Sequence, residues 1–298
     1  MFKYILCVVV IITAVVLVVI FLLKKTKEGY TVPTVSPQNA SQVLRDEPYL
    51  IKLPGQFSGV IKGKTIEEIC DWFGDEKMLL FVTKSGVVSH YGRDFVKDII
   101  KPDDTSSDYC TAILEDPSSP VKKFPVRHIQ FSLPAKDVFA YFLGKKSGIW
   151  HPKEKYYVRS TNKSGRPFLK KLTPNCHGIN HTVSFYLSMT GIVTNIHYDA
   201  NPGFVVQLRG RKRILIWPPS EKENLYITYP MNHPYYRRSR YDGRIEDVGV
   251  DFPKIKQAKY IEVILKPDEC LYIPKGWFHY VETLDDITVS SIVRLYPS

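Results

Sequence analysis

Thr194-Asn195-Ile196-His197-Tyr198-Asp199 carries two metal-ligand residue types one position apart, at the end of an apolar run of strand character. In an extended strand, alternate side chains share a face. His197 and Asp199 can then grip one ion from a single strand end, with Tyr198 turned away. A third ligand has to come from elsewhere in the chain. The best candidate is His279, in Tyr272-Ile273-Pro274-Lys275-Gly276-Trp277-Phe278-His279. Two His and one carboxylate that leave coordination positions open suit a non-haem Fe(II) centre.

Outward from this stretch the chain reads as short strands. Tyr156–Val158, His181–Met189, Gly203–Leu208, Lys212–Trp217, Tyr260–Leu265, Glu269–Ile273 and Asp286–Leu295 are apolar or alternating runs. Pro- and Gly-containing turns separate them, which predicts a sandwich or a barrel. In Lys212–Trp217, alternation places Lys212 with Ile214 and Ile216 on the apolar face. An inward Lys needs a partner, because burying an unpaired charge is expensive, and a dicarboxylate would supply one. Arg211 and Arg213 fall on the opposite, solvated face.

The N-terminal half is mixed. Thr65-Ile66-Glu67-Glu68 has the form of a capping box opening a short helix through Trp72. Met78–Thr83 reads as a strand, Phe95–Ile100 as a second short helix, and the Asp/Ser/Pro-rich 102–120 as a loop. Ser132–Leu143 has a helical pattern with Ser132 in the cap position.

The chain has 298 residues, 44% hydrophobic and 24% charged, as expected of a globular domain. Five scattered cysteines without a CxxC argue against a disulfide scaffold or a zinc ribbon. Cys176-His177 with His181 lacks a fourth nearby ligand and reads as structural. The net charge is +11. Four Lys and one Glu in Met1–Glu28 account for +3 and leave +8 for the remainder. No recognition motif accompanies that charge, so nucleic acid is not the expected partner. Tyr4–Leu23 is a run of 20 uncharged, mostly apolar residues, long enough for the roughly 30 Å hydrocarbon layer of a bilayer. It predicts an uncleaved single-pass membrane anchor rather than a signal peptide, whose apolar core is shorter. Three Lys follow the run and one precedes it, which places the remaining chain in the cytosol.

Taken together, Thr194-x-x-His197-x-Asp199, Gly210-x-Lys212-Arg213, Pro218-Pro219, His233-Pro234, Arg238 with Asp242, Phe252-Pro253, Glu269–Pro274 and Trp277-x-His279 resemble the JmjC/cupin-like 2-oxoglutarate oxygenases. The pattern is most similar to the group containing the asparaginyl hydroxylase of the hypoxia-inducible factor. The resemblance covers about Tyr156 to Pro297, and more loosely 48–143. It implies a mainly β fold with flanking helices, a double-stranded β-helix of the cupin/JmjC jelly-roll type, after the N-terminal transmembrane helix. It further implies Fe(II) on His197, Asp199 and His279, and 2-oxoglutarate with its distal carboxylate on Lys212. Thr194 and Tyr157 match positions that hydrogen-bond that carboxylate. Relatives often carry Asn on the last strand where this chain has Ser290-Ser291, a departure at one cosubstrate contact.

On this reading the chain divides into a transmembrane helix at 4–23, a linker at 24–48, a mixed N-terminal extension of the catalytic domain at 49–123, and a JmjC/cupin-like domain at 124–298. The expected function is a membrane-anchored Fe(II)- and 2-oxoglutarate-dependent dioxygenase that hydroxylates a protein or peptide side chain. The alternatives are a JmjC lysine demethylase and a non-catalytic cupin-like binding or structural module. The second would be marked by loss of a triad ligand or of Lys212, and both are present.

Overall fold

Short apolar strands and tight turns leave each strand one face to bury, and two sheets packed face to face satisfy that need. The computed structural model describes residues 31–36, 44–91, 96–102, 106–119, 121–150, 153–160, 173–176 and 178–297. The strands of the first half are β1 (Thr34–Val35), β2 (Tyr49–Lys52), β3 (Lys77–Thr83), β4 (Val87–Val88), β5 (Val96–Pro102), β6 (Cys110–Leu114), β7 (Lys123–Val126) and β8 (Ile129–Pro134). Those of the second half are β9 (Lys155–Ser160), β10 (Asn180–Met189), β11 (Val193–Tyr198), β12 (Gly203–Arg209), β13 (Lys212–Trp217), β14 (Ile261–Leu265), β15 (Glu269–Ile273), β16 (Phe278–Thr283) and β17 (Ile287–Tyr296). Among the described residues, three short α-helices accompany them: α1 (Ser58–Ile61), α2 (Ile66–Asp71) and α3 (Ala135–Phe142).

The major sheet has the order β1-β2-β15-β12-β17-β10-β9-β3-β8, and the minor sheet β14-β13-β16-β11-β4. Strands from both halves of the chain share the major sheet. Its outer face carries Leu80, Val158, Phe185, Leu187 and Val293, packed with Ile69, Phe73, Phe139 and Phe142 from the α2 and α3 region. Between the sheets, Val205, Ile214, Ile216, Val263, Leu271 and Ile273 form an apolar layer. The outer face of the minor sheet (Val193, Ile196, Leu215, Trp217, Tyr280) is covered by Leu225, Ile227, Val248 and Ile255 of the long segment after β13. Two facing, mainly antiparallel sheets with few helices agree with the expected mainly β, jelly-roll class.

The capping box forms as expected. Thr65 accepts from the Glu68 amide at 3.1 Å, and Glu68 accepts from the Thr65 amide at 2.7 Å. Three local expectations are corrected. The stretch read as a helix over Phe95–Ile100 lies in part in β5, which pairs antiparallel with β6. Val96, Ile99 and Ile100 are β-branched and favour that extended backbone. β6 itself lies within the stretch 102–120 that reads as a loop. Ser132 is not a cap: Ile129–Pro134 pairs with β3, and α3 opens behind Pro134. A proline disfavours helix at the residue before it, so Leu133 stays extended.

The membrane expectation is also corrected. Tyr4–Leu23, on which the anchor and the cytosolic placement rested, lies outside the described residues. Among the described residues no helix is long and apolar enough to cross a membrane. α3, the longest α-helix described, has eight residues and spans about 12 Å, well short of the roughly 30 Å required.

Gly203 opens β12 where that strand crosses β17 most closely. A Cβ at this position would lie 2.3 Å from the Val293 carbonyl oxygen and 3.2 Å from Nη1 of Arg294. Gly203→Ala should therefore push β17 away and cost about 1–3 kcal/mol. Urea unfolding measures it, and a variant as stable as the parent would contradict this close approach.

Candidate functional site

Thr194 and His197 are three residues apart, a spacing that puts them on opposite faces of a regular strand. The structure places both on the inner face through a bulge. β11 pairs with β16 as Thr194↔Val281 and then His197↔His279, so β11 holds one extra residue between the two pairs. Asn195 and Ile196 both turn outward, Ile196 into the outer core. His197 then sits across from His279, with ring centroids 4.1 Å apart. β13 lies on the other side of β16, with Ile216 opposite His279 and Lys212 opposite Thr283. The inner face of the minor sheet thus carries Lys212, Thr283, Val281, His279, Thr194 and His197. The inner face of the major sheet presents Tyr157, Arg159, Tyr186, Ser290, Ile292 and Arg294. All six residues expected from sequence (His197, Asp199, His279, Lys212, Thr194 and Tyr157) line one cavity of about 170 Å³.

Ligand atoms of His197, Asp199 and His279 all lie within 4.8 Å of one another, the spacing of donors that can share one ion. Each imidazole is oriented by a backbone carbonyl two residues back. Nδ1 of His197 is 2.8 Å from the Asn195 oxygen, and Nδ1 of His279 is 3.3 Å from the Trp277 oxygen. With Nδ1–H donating there, each Nε2 lone pair is left for a metal. Nε2 of His279 is 3.5 Å from Oδ2 of Asp199. Burial holds both imidazoles below their ordinary pKa, and for His197 the neighbouring His279 adds to the effect. Burial alone would raise the Asp199 carboxyl. Arg294, with His279 and His197, overcomes it and holds that carboxyl well below the usual range. Neutral imidazoles and an ionised carboxylate are the protonation states a divalent cation requires, so the donor set fits one. Nη2 of Arg294 sits 2.6 Å from Oδ2 of Asp199.

At the other end of the cavity, Lys212 is buried and donates to Oγ of Ser290 at 2.7 Å. Ser290 belongs to the Ser290-Ser291 pair at which the sequence departs from the pattern it resembles. Here it receives the ammonium, while Ser291 faces the other side of β17. A hydroxyl does not neutralise a charge, and desolvation lowers the Lys212 pKa to about 8. Tyr157 and Thr194 both line the cavity, one from each sheet. Ser188 and Thr283 hydrogen-bond between the two sheets beside Lys212. Ile192, Val205, Val281 and Ile292 supply apolar wall.

The cavity lining and its surroundings also include residues to which the sequence reading assigned no role in the site. His90 is 6.2 Å from His197 and 5.8 Å from Tyr157, ring to ring. His128 stacks on Tyr91 at 5.8 Å, and burial pushes its pKa down to about 3. Arg238 forms an isolated bridge with His197 and donates to Oδ1 of Asn195. Asn195 in turn donates to Asp242, which also accepts from Ser89 at 2.7 Å and pairs with Arg127 at 3.3 Å. Arg159 carried a signal, since it alternates with Tyr157 on the same strand. His90 and His128 carried none, because only the fold brings them here. The aromatic stretch Tyr226–Tyr241 divides between two roles. Tyr235 packs on Phe124 at 5.0 Å, whereas Pro234, Arg237 and Arg238 reach the cavity.

A family model described as a cupin-like domain matches residues 135–293, just over half of the chain. Over 105 residues the chain is 36% identical to JmjC domain-containing protein D of Dictyostelium discoideum, covering 35% of this chain and 23% of that protein. It is 34% identical over 105 residues to lysine-specific demethylase 8 of Xenopus tropicalis, covering 35% and 23%. To HSPB1-associated protein 1 of Rattus norvegicus it is 35% identical over 111 residues, covering 36% and 22%. The match thus spans less than a quarter of each of these relatives. With two facing sheets, a His-Asp-His cluster between them and a family match over more than half of its length, the chain belongs to the cupin-like domain family.

Proposed function

We propose that this chain is an Fe(II)- and 2-oxoglutarate-dependent dioxygenase that hydroxylates a protein side chain, in the manner of the asparaginyl hydroxylase group it resembles. The observation that carries the reading is one cavity with a three-ligand cluster at one end and an unneutralised lysine at the other. His197, Asp199 and His279 would hold the metal. When bound, the iron and 2-oxoglutarate would couple O2 reduction and decarboxylation to substrate oxidation, so that a C–H bond becomes C–OH and succinate and CO2 leave.

Lys212 would bind the distal carboxylate, replacing a neutral hydroxyl partner with an anion. It lies four residues along β13 from Ile216, which faces His279, roughly 13 Å of strand. The lysine side chain and a five-carbon diacid together span that interval. Tyr157 and Thr194 would donate their hydroxyls to the same carboxylate. Ile192, Val205, Val281 and Ile292 would exclude water around the diacid. Arg294, now on Asp199, would hand that carboxylate to the metal. A second reading, lysine demethylation, draws on the relative named lysine-specific demethylase 8. The excess of cations in the cavity opposes a cationic substrate side chain, so hydroxylation is the better supported.

Purified chain supplied with Fe(II), O2 and 2-oxoglutarate should form succinate. His197→Ala and Asp199→Ala should reduce this to background and abolish metal binding, with circular dichroism unchanged. Parent-level turnover in both variants would remove the triad. Mass spectrometry of protein substrates separates the readings: hydroxylation adds one oxygen, whereas demethylation removes a methyl group.

Lys212 generates a second prediction. Its folded pKa of about 8 lies below the ordinary lysine value of 10.5, so folding penalises the charged form. The penalty is full below about pH 8 and fades as pH rises toward the unfolded value. Without cosubstrate, Lys212→Met should unfold at higher denaturant than the parent at pH 7, and the gap should narrow toward pH 10. At pH 9 a bound dicarboxylate restores the ammonium, so binding should take up roughly one proton, read by calorimetry in buffers of different ionisation enthalpy. No uptake, or undiminished binding in Lys212→Met, would displace Lys212 as the anchor.

A further inference from the structure

Among the described residues lining the cavity, Arg159, Lys212, Arg237, Arg238 and Arg294 face a single carboxylate, Asp199. Arg294 already occupies that carboxylate. On the proposed function, the dianionic cosubstrate balances the divalent metal and brings no surplus negative charge. Arg159 and Arg237 are then left without an anion, and Arg294 joins them once its carboxylate passes to the metal, while Arg238 is tied through Asn195 to Asp242. Arg238 is fixed by Asn195 and lies 5.7 Å over the Tyr235 ring. Arg159 is less committed. It stands opposite Tyr186 in the sheet, with its guanidinium 5.7 Å over that ring, and its buried Nε has no hydrogen-bond partner. Arg237 stacks on Tyr236 at 5.1 Å and is half-buried. His90 lies between the metal ligands and this group. Burial first, then Arg238, His197 and Arg159, keep it neutral, so it adds no competing charge.

We infer that the substrate presents an anionic oxygen group, a carboxylate or a phosphoryl, to Arg159, with Arg237 as a second donor beside it. A guanidinium offers such a group paired, parallel donors, and the free Nε of Arg159 supplies half of that pair. The anionic group would then lie on the β9–β10 part of the cavity wall, beside Tyr186 and the neighbouring His90. This deepens the proposed function and rests on it, because that reading assigns the cosubstrate its charge and its place.

The test uses fluorescein-labelled Gly/Ser peptides with one central Asp, phosphoserine, Asn or Lys, titrated by polarisation into Mn(II)-loaded protein with and without 2-oxoglutarate. The Asp or the phosphoserine peptide should bind about tenfold tighter than the Asn peptide, and the stronger of the two identifies the anion. Arg159→Gln should collapse that ratio toward one, and Arg159→Lys should keep part of it. Equal affinity across the series, no binding by any member, or an unchanged ratio in Arg159→Gln overturns the inference. Calorimetry of Mn(II) and 2-oxoglutarate, run beside it, separates the two failures. Their failure to bind removes the proposed function, whereas their binding without an acidic preference removes only the substrate assignment.

Discussion

One extra residue in β11 sets the geometry on which the site depends. Without the bulge between Thr194 and His197, alternation would send His197 outward among Val193, Leu215 and Tyr280. His279 would then face Val281's neighbours alone, and no cluster could form. A bulge leaves backbone groups outside the ladder, and this one is paired from the flank. The Ile196 carbonyl accepts from the Ser239 amide at 3.1 Å, and the Tyr198 amide donates to the Arg237 carbonyl at 3.1 Å. The segment 237–239 therefore acts as a short added edge that holds the bulge in place.

Side chains brace the same point. Asn195 occupies the bulge and binds both Arg238 and Asp242. Asp242 also reaches Ser89 and Arg127, so three other chain segments converge on one carboxylate. Such a network in a poorly hydrated setting is rigid when every member is satisfied. Its function is indirect: the Asn195 carbonyl orients the His197 ring, and Arg238 reaches the cavity from the same anchor. Arg238 and Asp242, visible in sequence only as spaced residues, are thus bridged by Asn195 into a brace that joins β11 to the segment after β13.

How far the sequence led depended on whether a feature is local. Alternation in Lys212–Trp217 follows from strand geometry and put Lys212 inward, whereas Tyr157 was expected only from the family resemblance. The capping box at Thr65 is likewise a four-residue property. The bulge was legible only as a conflict: Thr194 and His197 share a site at a spacing that a regular strand forbids. His90 and His128 come from outside the matched strands, so no periodicity marks them. Phe95–Ile100 misled because a short apolar run fits either period, and its partner β6 lay in a stretch whose Asp, Ser and Pro content reads as loop. The anchor expected from Tyr4–Leu23 rested on composition alone and is not carried further.

Charge explains why this cavity is polar although apolar strands build its walls. Between the same two sheets, Ile214, Ile216, Leu271 and Ile273 make a dry layer, and one strand pair further the lining turns to Lys, Arg and His. Buried cations without anions oppose folding, so their retention needs a reason outside stability. Lys212 meets only a hydroxyl, and Asp199 is shared between Arg294 and His279. A divalent metal alone would add to the excess. A metal with a dicarboxylate leaves it unchanged, and only a further anion reduces it. The charge of the cavity lining is therefore unbalanced in a graded way: on the proposed function, the Lys212 end would take the cosubstrate, the Asp199 end the metal, and the Arg159 side what the pair acts on.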